Sequence, residues 1–191
     1  PVEDISLSSF GASSFGEESL ICAVNYTFKN KDTISSIRAL LTTSSEPGAE
    51  IIAYVVSPEG FASGDFEDGF SMSDPYTVTT EDITNGYVDI PIIGNESDGT
   101  LDYLALEAGE YFVALEIISI NEEVIRILDD LTVLQPSQRS MIYTDNSAYT
   151  NSNAFAIRLN LGNPDALGVS ENLEKFSVYP NPSSGLVFFN F

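Results

Sequence analysis

The densest set of hard oxygen ligands in this sequence lies in one glycine-containing loop. Asp65, Glu67 and Asp68 precede Gly69, and Asp74 follows a few residues later. Ca²⁺ takes about six to eight oxygen ligands, often from alternating positions of such a loop. The spacing therefore predicts a Ca²⁺ site formed by Asp65, Glu67, Asp68 and Asp74. The EF-hand pattern is not matched, and a solvated acidic loop explains the same residues.

A second candidate site combines tyrosine and amide side chains. Tyr143, Asn146 and Tyr149 lie close together between two late apolar runs. Tyrosine rings can stack on sugar rings, while amide groups form hydrogen bonds with hydroxyl groups. The cluster predicts ligand binding, with carbohydrate as the default ligand. The alternative is a polar loop whose tyrosines are anchored in the core.

The residue types that most enzymes need are scarce. The chain has no His and no Trp, and Cys22 is its one cysteine. Nucleophilic sites of the Ser-His-Asp or Cys-His kind are therefore excluded, and the commonest zinc ligand is missing. Cys22 lies on the apolar side of an alternating run, which predicts a buried, inert thiol. We expect no cofactor other than Ca²⁺ and no enzymatic activity.

Carboxylate pairs leave one enzymatic class open. Glu122-Glu123 and Asp129-Asp130 are adjacent acidic pairs, and a glycoside hydrolase needs two carboxylates that face one sugar. Neighbours on a strand point to opposite faces, so adjacency is no evidence for such a pair. We interpret both pairs as strand ends kept soluble by their charge.

Charge excludes several kinds of partner. The 191-residue chain has 29 Asp and Glu against 7 Lys and Arg, a formal net charge of −22. Such a surface repels nucleic acid and anionic lipid, both of which require a positive surface. The sequence contains no apolar stretch near the ~20 residues of a membrane helix. We therefore predict neither nucleic-acid binding nor a membrane-spanning segment.

The dominant period of the hydrophobic pattern is two, which is typical of half-buried strands. The segment 51–56 is apolar at every position and predicts a central strand. Three other runs alternate, with these residues on one face: Leu20, Cys22, Val24, Tyr26 and Phe28; Tyr111, Val113, Leu115 and Ile117; Phe155, Ile157, Leu159 and Leu161. About ten candidate strands predict an antiparallel β-sandwich.

Turn residues separate these runs. Asn85-Gly86 is a strong turn signal ahead of a strand that starts at Tyr87. Thr79 and Asp82 form a weak capping pattern that predicts a single helical turn over 80–83. The stretch 57–73 is rich in Gly, Ser, Asp and Phe and predicts a long surface loop.

The end of the chain carries a specific motif. Tyr179, Pro180, Asn181 and Pro182 stand between two alternating runs, and Gly185 follows. This resembles the opening of the C-terminal sorting domain of Bacteroidetes type IX secretion substrates. The resemblance implies a partner, the type IX secretion machinery, and export across the outer membrane. In the family the signal continues through more strands, so we expect 176–191 to be the start of an incomplete Ig-like sorting domain.

The stretches 78–91 and 106–113 resemble jelly-roll-type β-sandwich modules found ahead of such tails, a resemblance that implies no specific activity. We predict a β-sandwich domain over 1–162, a linker over 163–175 and the sorting segment over 176–191. The expected function is a non-catalytic ligand- or surface-binding module of a secreted or cell-surface protein. The alternatives are a structural spacer ahead of the secretion signal and, third, a carboxylate-only glycoside hydrolase.

Overall fold

The computed structural model describes residues 7–11, 19–66, 69–92, 94, 103–119 and 122–162 of the chain. Of these residues, 57% lie in strands and 9% in helices. All strand pairs are antiparallel and the sheets pack as a sandwich. The predicted all-β, antiparallel sandwich is therefore confirmed.

The described part of the chain contains fourteen strands and two short helices. In chain order they are β1 (Leu7–Phe10), β2 (Ser19–Phe28), β3 (Asp32–Leu40), β4 (Glu50–Val56), α1 (Pro58–Ser63), β5 (Ser71–Met72), β6 (Tyr76–Thr77), α2 (Thr80–Asn85), β7 (Tyr87–Pro91), β8 (Leu104–Leu106), β9 (Gly109–Ile118), β10 (Ile127–Leu134), β11 (Ser140–Thr144), β12 (Ser147–Thr150), β13 (Asn153–Phe155) and β14 (Ile157–Leu161).

One layer of the sandwich, the front sheet, has seven strands in the order β12-β11-β2-β9-β4-β5, with β6 also paired to β4. Its centre is the ten-residue pairing of β2 with β9, from Ser19 opposite Ile118 to Phe28 opposite Gly109. Residues 25–28 of β2 extend beyond the last residue paired with β11. The Asn25 backbone amide still donates to the Arg139 carbonyl, and beyond it no described strand pairs with this side of β2.

The back layer combines two smaller sheets, β1-β10-β13 and β14-β3-β7, with β8 also paired to β3. A bridge between Leu41 and Ile127 joins them, and the Leu40 amide donates to the Ala156 carbonyl at 3.1 Å. Ala156 alone separates β13 from β14, so one extended segment contributes to both sheets. The two sheets therefore cover the front sheet as one layer.

The interior core lies between the two layers and confirms the predicted alternation. Leu20 and Cys22 of β2, and Val113 and Leu115 of β9, all point into it. Leu161 departs from the prediction, because it is 49% exposed. The pairing of β14 with β3 shifts register between Asn160 and Leu161, and a one-residue shift turns a side chain to the other face.

β4 is covered on both faces, as its uninterrupted apolar run predicts. Ile51, Ala53 and Val55 enter the interior core. Tyr54 and Val56 face outward and pack under α1, in a second hydrophobic cluster on the outer face of the front sheet. Because of this outer cluster, the front sheet is buried on part of its outer face as well as on its inner face.

The prediction of one long irregular loop over 57–73 is wrong at both ends, since residues 71–72 form β5 and pair with β4. Residues 58–63 form α1, with the Ser57 hydroxyl accepting from the Gly60 amide and Gly64 ending the helix in the left-handed conformation. Ser at the N-cap, Pro58 in the first turn and Gly after the last turn are ordinary helix signals. The helix is only six residues long, too short for a hydrophobic period to show.

The short helix over 80–83 is confirmed and extends to Asn85. Thr79 and Asp82 form a reciprocal capping box, with the Asp82 amide donating to the Thr79 hydroxyl at 3.2 Å. Asn85-Gly86 does not form a hairpin turn. Gly86, at φ 77°, ends α2 instead, because the left-handed conformation that favours Gly in turns also ends helices.

Several predictions lie outside the described residues: the linker over 163–175 and the sorting segment with Tyr179, Pro180, Asn181, Pro182 and Gly185. Within the described part, neither helix has the length and apolar character needed to cross a bilayer.

Candidate functional site

A hollow on the outer face of the front sheet, here called the polar groove, combines a buried apolar floor with hydrogen-bonding side chains. Its volume is about 540 Å³. α1 forms one wall, and strands β2, β9, β11 and β12 form the floor and the other wall. The residues lining it include Asn25, Phe61, Glu110, Phe112, Arg139 and Ala148.

The floor of the groove is held by aromatic packing. Phe61 of α1 stacks on Phe112 of β9, with ring centroids 4.2 Å apart and an interplanar angle of 18°. Phe66 and Tyr143 complete the outer cluster with edge-on contacts to Phe61 at 5.6 and 6.2 Å. Phe61 and Phe112 are 2% and 5% exposed. Their faces stack on each other and cannot serve as platforms for a sugar ring.

Arg139 organises the polar side of the groove. Its guanidinium donates to the side-chain oxygen of Asn25 and, at 3.2 Å, to the Thr27 hydroxyl. It also forms a 3.1 Å ion pair with Glu110. The backbone amide of Asn25 in turn donates to the Arg139 carbonyl at 2.8 Å. These bonds hold the guanidinium, the carboxylate and the amide side by side.

This polar group remains accessible. The Arg139 and Glu110 side chains are 36% and 48% exposed, and such a pair contributes little to stability because water screens it. A carboxylate, an amide and a guanidinium together offer both donors and acceptors to a polyhydroxylated ligand. Glu110 is the one carboxylate among the residues lining the groove, whereas glycoside hydrolysis needs two.

The structure does not bring the predicted tyrosine site together as one platform. In the β11–β12 hairpin, Tyr143 pairs with Ala148 and Tyr149 pairs with Ile142. Cross-strand partners share a face and neighbours alternate, so the two tyrosines lie on opposite faces of the sheet. Tyr143 is half-buried in the outer cluster, Tyr149 is 53% exposed, and Asn146 occupies the exposed turn at φ 54°.

The predicted Ca²⁺ ligands are only partly described. Asp65 follows the end of α1 and lines a hollow beside that helix, whereas Asp74 follows β5 and lines a different hollow. Glu67 and Asp68 lie outside the described residues. The part of the chain that is described contains no group of three or more acidic, His or Cys side chains placed to hold a metal ion. The Ca²⁺ site stays a prediction.

The prediction for the Asp129-Asp130 pair is wrong, because both residues are buried in β10. Asp129 is fully buried and accepts from the Asn151 and Asn153 amide groups at 3.1 Å each. Asp130 is 8% exposed and accepts from the Thr132 amide at 2.8 Å. A buried carboxylate needs such donors, since desolvation without them is costly.

Cys22 is fully buried, as predicted. Burial, with a smaller contribution from the negative charge of Asp129, raises the pKa of its thiol far above the ordinary range. The thiolate is the reactive form, so this side chain is inert at neutral pH.

Comparison with known proteins gives a likeness of fold. No protein-family model and no curated protein matches the chain. A solved structure of the cysteine protease and lectin-like domains of Cwp84, a surface-layer-associated protein of Clostridium difficile, aligns with a TM-score of 0.53 at 14% identity, over 81% of this chain and 36% of that one. A second Cwp84 structure, determined after propeptide cleavage, aligns with a TM-score of 0.55 at 14% identity, over 83% of this chain and 40% of that one.

Proposed function

We propose that this domain is a non-catalytic glycan-binding module of a secreted or cell-surface protein, and that the polar groove is its binding site. The observation that carries the proposal is the cluster of Arg139, Glu110 and Asn25 on the outer face of the front sheet. Asn25 and Glu110 lie on paired strands, and Arg139, in the turn before β11, is bonded to both, so the donors and acceptors are already positioned and little conformational entropy is lost on binding.

The comparisons support the class of the domain. Cwp84 is described as a surface-layer-associated protein with cysteine protease and lectin-like domains. The matches span 36% and 40% of those chains, and the matching structure is an antiparallel sandwich with little helix. We infer that the matched portion is the lectin-like domain. This supports a binding role at a cell surface, although fold alone does not fix a ligand.

A structural spacer is the second candidate. It is favoured by the burial of Phe61 and Phe112, because sugar-binding sites commonly expose an aromatic face and this groove does not. A glycan array probed with the purified domain separates the two. Binding to a defined set of glycans is expected, and no binding to any glycan would favour the spacer.

We also propose that the protein leaves the cell by the type IX route. The proposal rests on the resemblance of Tyr179, Pro180, Asn181, Pro182 and Gly185 to the sorting motif. Fractionation of the producing bacterium is expected to place the protein outside the outer membrane. Accumulation of the intact chain in the cytoplasm, with the tail retained, would contradict this.

A further inference from the structure

A second hollow, here called the cationic hollow, lies at the open end of the sandwich between β2 and β14. Its volume is about 380 Å³. Lys29 enters it from the β2–β3 turn and Arg158 from β14, next to Tyr26, Leu159 and Leu161. Tyr26 closes its inner side by donating to the Ile157 carbonyl at 2.7 Å. The hollow is therefore built from side chains of both layers.

The charge of this hollow is unusual for a chain with only 7 Lys and Arg. Lys29 and Arg158 face a single carboxylate, that of Asp32. Four other surface hollows carry balanced or negative sets of charges: Glu110 with Arg139, Glu59 with Asp65, Asp74 alone and Asp89 alone.

The two cations are also available. Three cations of the described part are engaged in ion pairs, Lys31 with Glu107, Arg38 with Asp89 and Arg139 with Glu110. Lys29 forms no ion pair with any described residue, and it is exposed. Arg158 is exposed, donates to the backbone oxygens of Phe155 at 3.4 Å and Ile157 at 3.1 Å, and interacts with the Tyr26 side chain, so among the described residues it forms no ion pair with a carboxylate. Both can accept an anion without giving up a carboxylate partner.

The cationic hollow continues the polar groove. Thr27 lines the hollow, and its hydroxyl accepts from Arg139, which lines the groove. Asn25 and Thr27 are two residues apart on β2, so their side chains project from one face of the strand, and Lys29 follows in the turn after Phe28. At about 3.3 Å per residue, the strand spans roughly 10 Å from Asn25 to its end at Phe28, a distance that an extended oligosaccharide can cover.

From this geometry we infer that the ligand of the groove is an acidic glycan, a uronic-acid-containing oligosaccharide whose carboxylate is bound by Lys29 and Arg158. The inference rests on the proposed function and adds the chemical class of the ligand. The net charge of −22 repels anions at long range, but that repulsion is screened beyond about 8 Å at physiological salt, whereas pairs in contact inside a hollow are screened less. Guanidinium in particular matches the geometry of a carboxylate.

The test is an array that carries neutral glycans and uronic-acid glycans, followed by titration of the strongest uronic-acid ligand and of the same oligosaccharide after carboxyl reduction. We expect the acidic form to bind at least tenfold more tightly. Lys29→Gln and Arg158→Gln should each remove about tenfold of that affinity, as loss of a charge-assisted bond does, and should leave the reduced form unaffected. Lys31→Gln is the matched control, with the same charge change beside the hollow.

The outcomes are distinguishable. If neutral glycans bind best and Lys29→Gln changes nothing, the inference is overturned while the proposed function stands. If no glycan binds, both fail. Because Arg158 also bonds backbone oxygens and interacts with Tyr26, its variant requires an unchanged melting temperature. Lys29 forms no ion pair with the described residues, so Lys29→Gln alone decides the matter if the other variant does not fold.

Discussion

Replacing Asp129 with alanine is expected to lower the free energy of unfolding by about 2 kcal/mol. The substitution removes an acceptor from the side-chain amides of buried Asn151 and half-buried Asn153, and an unsatisfied buried donor costs about 1–3 kcal/mol; Asn151 keeps a 3.3 Å contact with the Asn153 carbonyl, which limits the loss. The cavity left by the carboxylate adds to this cost. Relief of the buried charge offsets only part of the loss, because the carboxylate is already hydrogen-bonded.

Asp129→Asn tests the same point with no change of shape. It replaces one acceptor oxygen with a donor, so the side-chain amide of Asn151 or of Asn153 loses its partner. We expect about half the loss of unfolding free energy that Asp129→Ala causes. Urea unfolding followed by circular dichroism measures both, since the chain has no Trp. Asp74→Ala, at an exposed position, is the control and should stay within about 0.5 kcal/mol. A loss below 1 kcal/mol for Asp129→Ala would show that the buried cluster is not a stabilising element.

Gly64→Ala is expected to destabilise the domain more than Gly86→Ala, by about 1–3 kcal/mol. Both glycines end a helix in the left-handed conformation, at φ 74° and 77°, so both substitutions carry a similar backbone strain of about 1–2 kcal/mol. A Cβ at Gly64 would lie 2.8 Å from the Tyr143 ring carbon Cζ and closer still to its hydroxyl oxygen, whereas one at Gly86 meets nothing within 4 Å. The difference is the cost of overpacking.

A double-mutant cycle identifies the clash. Tyr143→Phe removes the hydroxyl nearest to the new methyl group, so Gly64→Ala should cost less in that background. The same urea titration measures the four proteins. Equal costs for Gly64→Ala and Gly86→Ala, or no change in the Tyr143→Phe background, would show that α1 moves freely on the outer cluster. In that case the wall of the polar groove would not be rigid.

The sequence predicts the layers of this fold well, because the interior is a period-two pattern in long strands. Alternate residues of β2 and β9 face the interior core as predicted, although Ile21 and Ala23 of β2, and Phe112 and Ala114 of β9, are apolar as well and pack in the outer cluster. The prediction that Leu161 faces the core fails because a register shift is set by backbone pairing, which leaves no trace in the hydrophobic pattern. Helix α1 is missed because six residues are too few to show a helical period.

The candidate site is harder to predict. Asn25 and Arg139 are 114 residues apart in the sequence, and Glu110 lies between them. Only the pairing of β2 with its neighbours brings the three together. Tyr143 and Tyr149 are close in sequence, yet a two-residue hairpin turn places them on opposite faces. Asp129 looks like a soluble strand end because its partners, Asn151 and Asn153, belong to a later part of the chain.

The most direct test of the account is calorimetric titration of the strongest array ligand into two tryptophan variants. Ala148 and Ala105 are both exposed alanines in strands, but Ala148 lines the polar groove and Ala105 belongs to β8 in the back layer. Tryptophan at 148 fills the groove, so Ala148→Trp is expected to weaken binding at least tenfold, while Ala105→Trp binds as the unmodified domain does. Equal affinities for the two variants would contradict the assignment of the groove as the glycan-binding site.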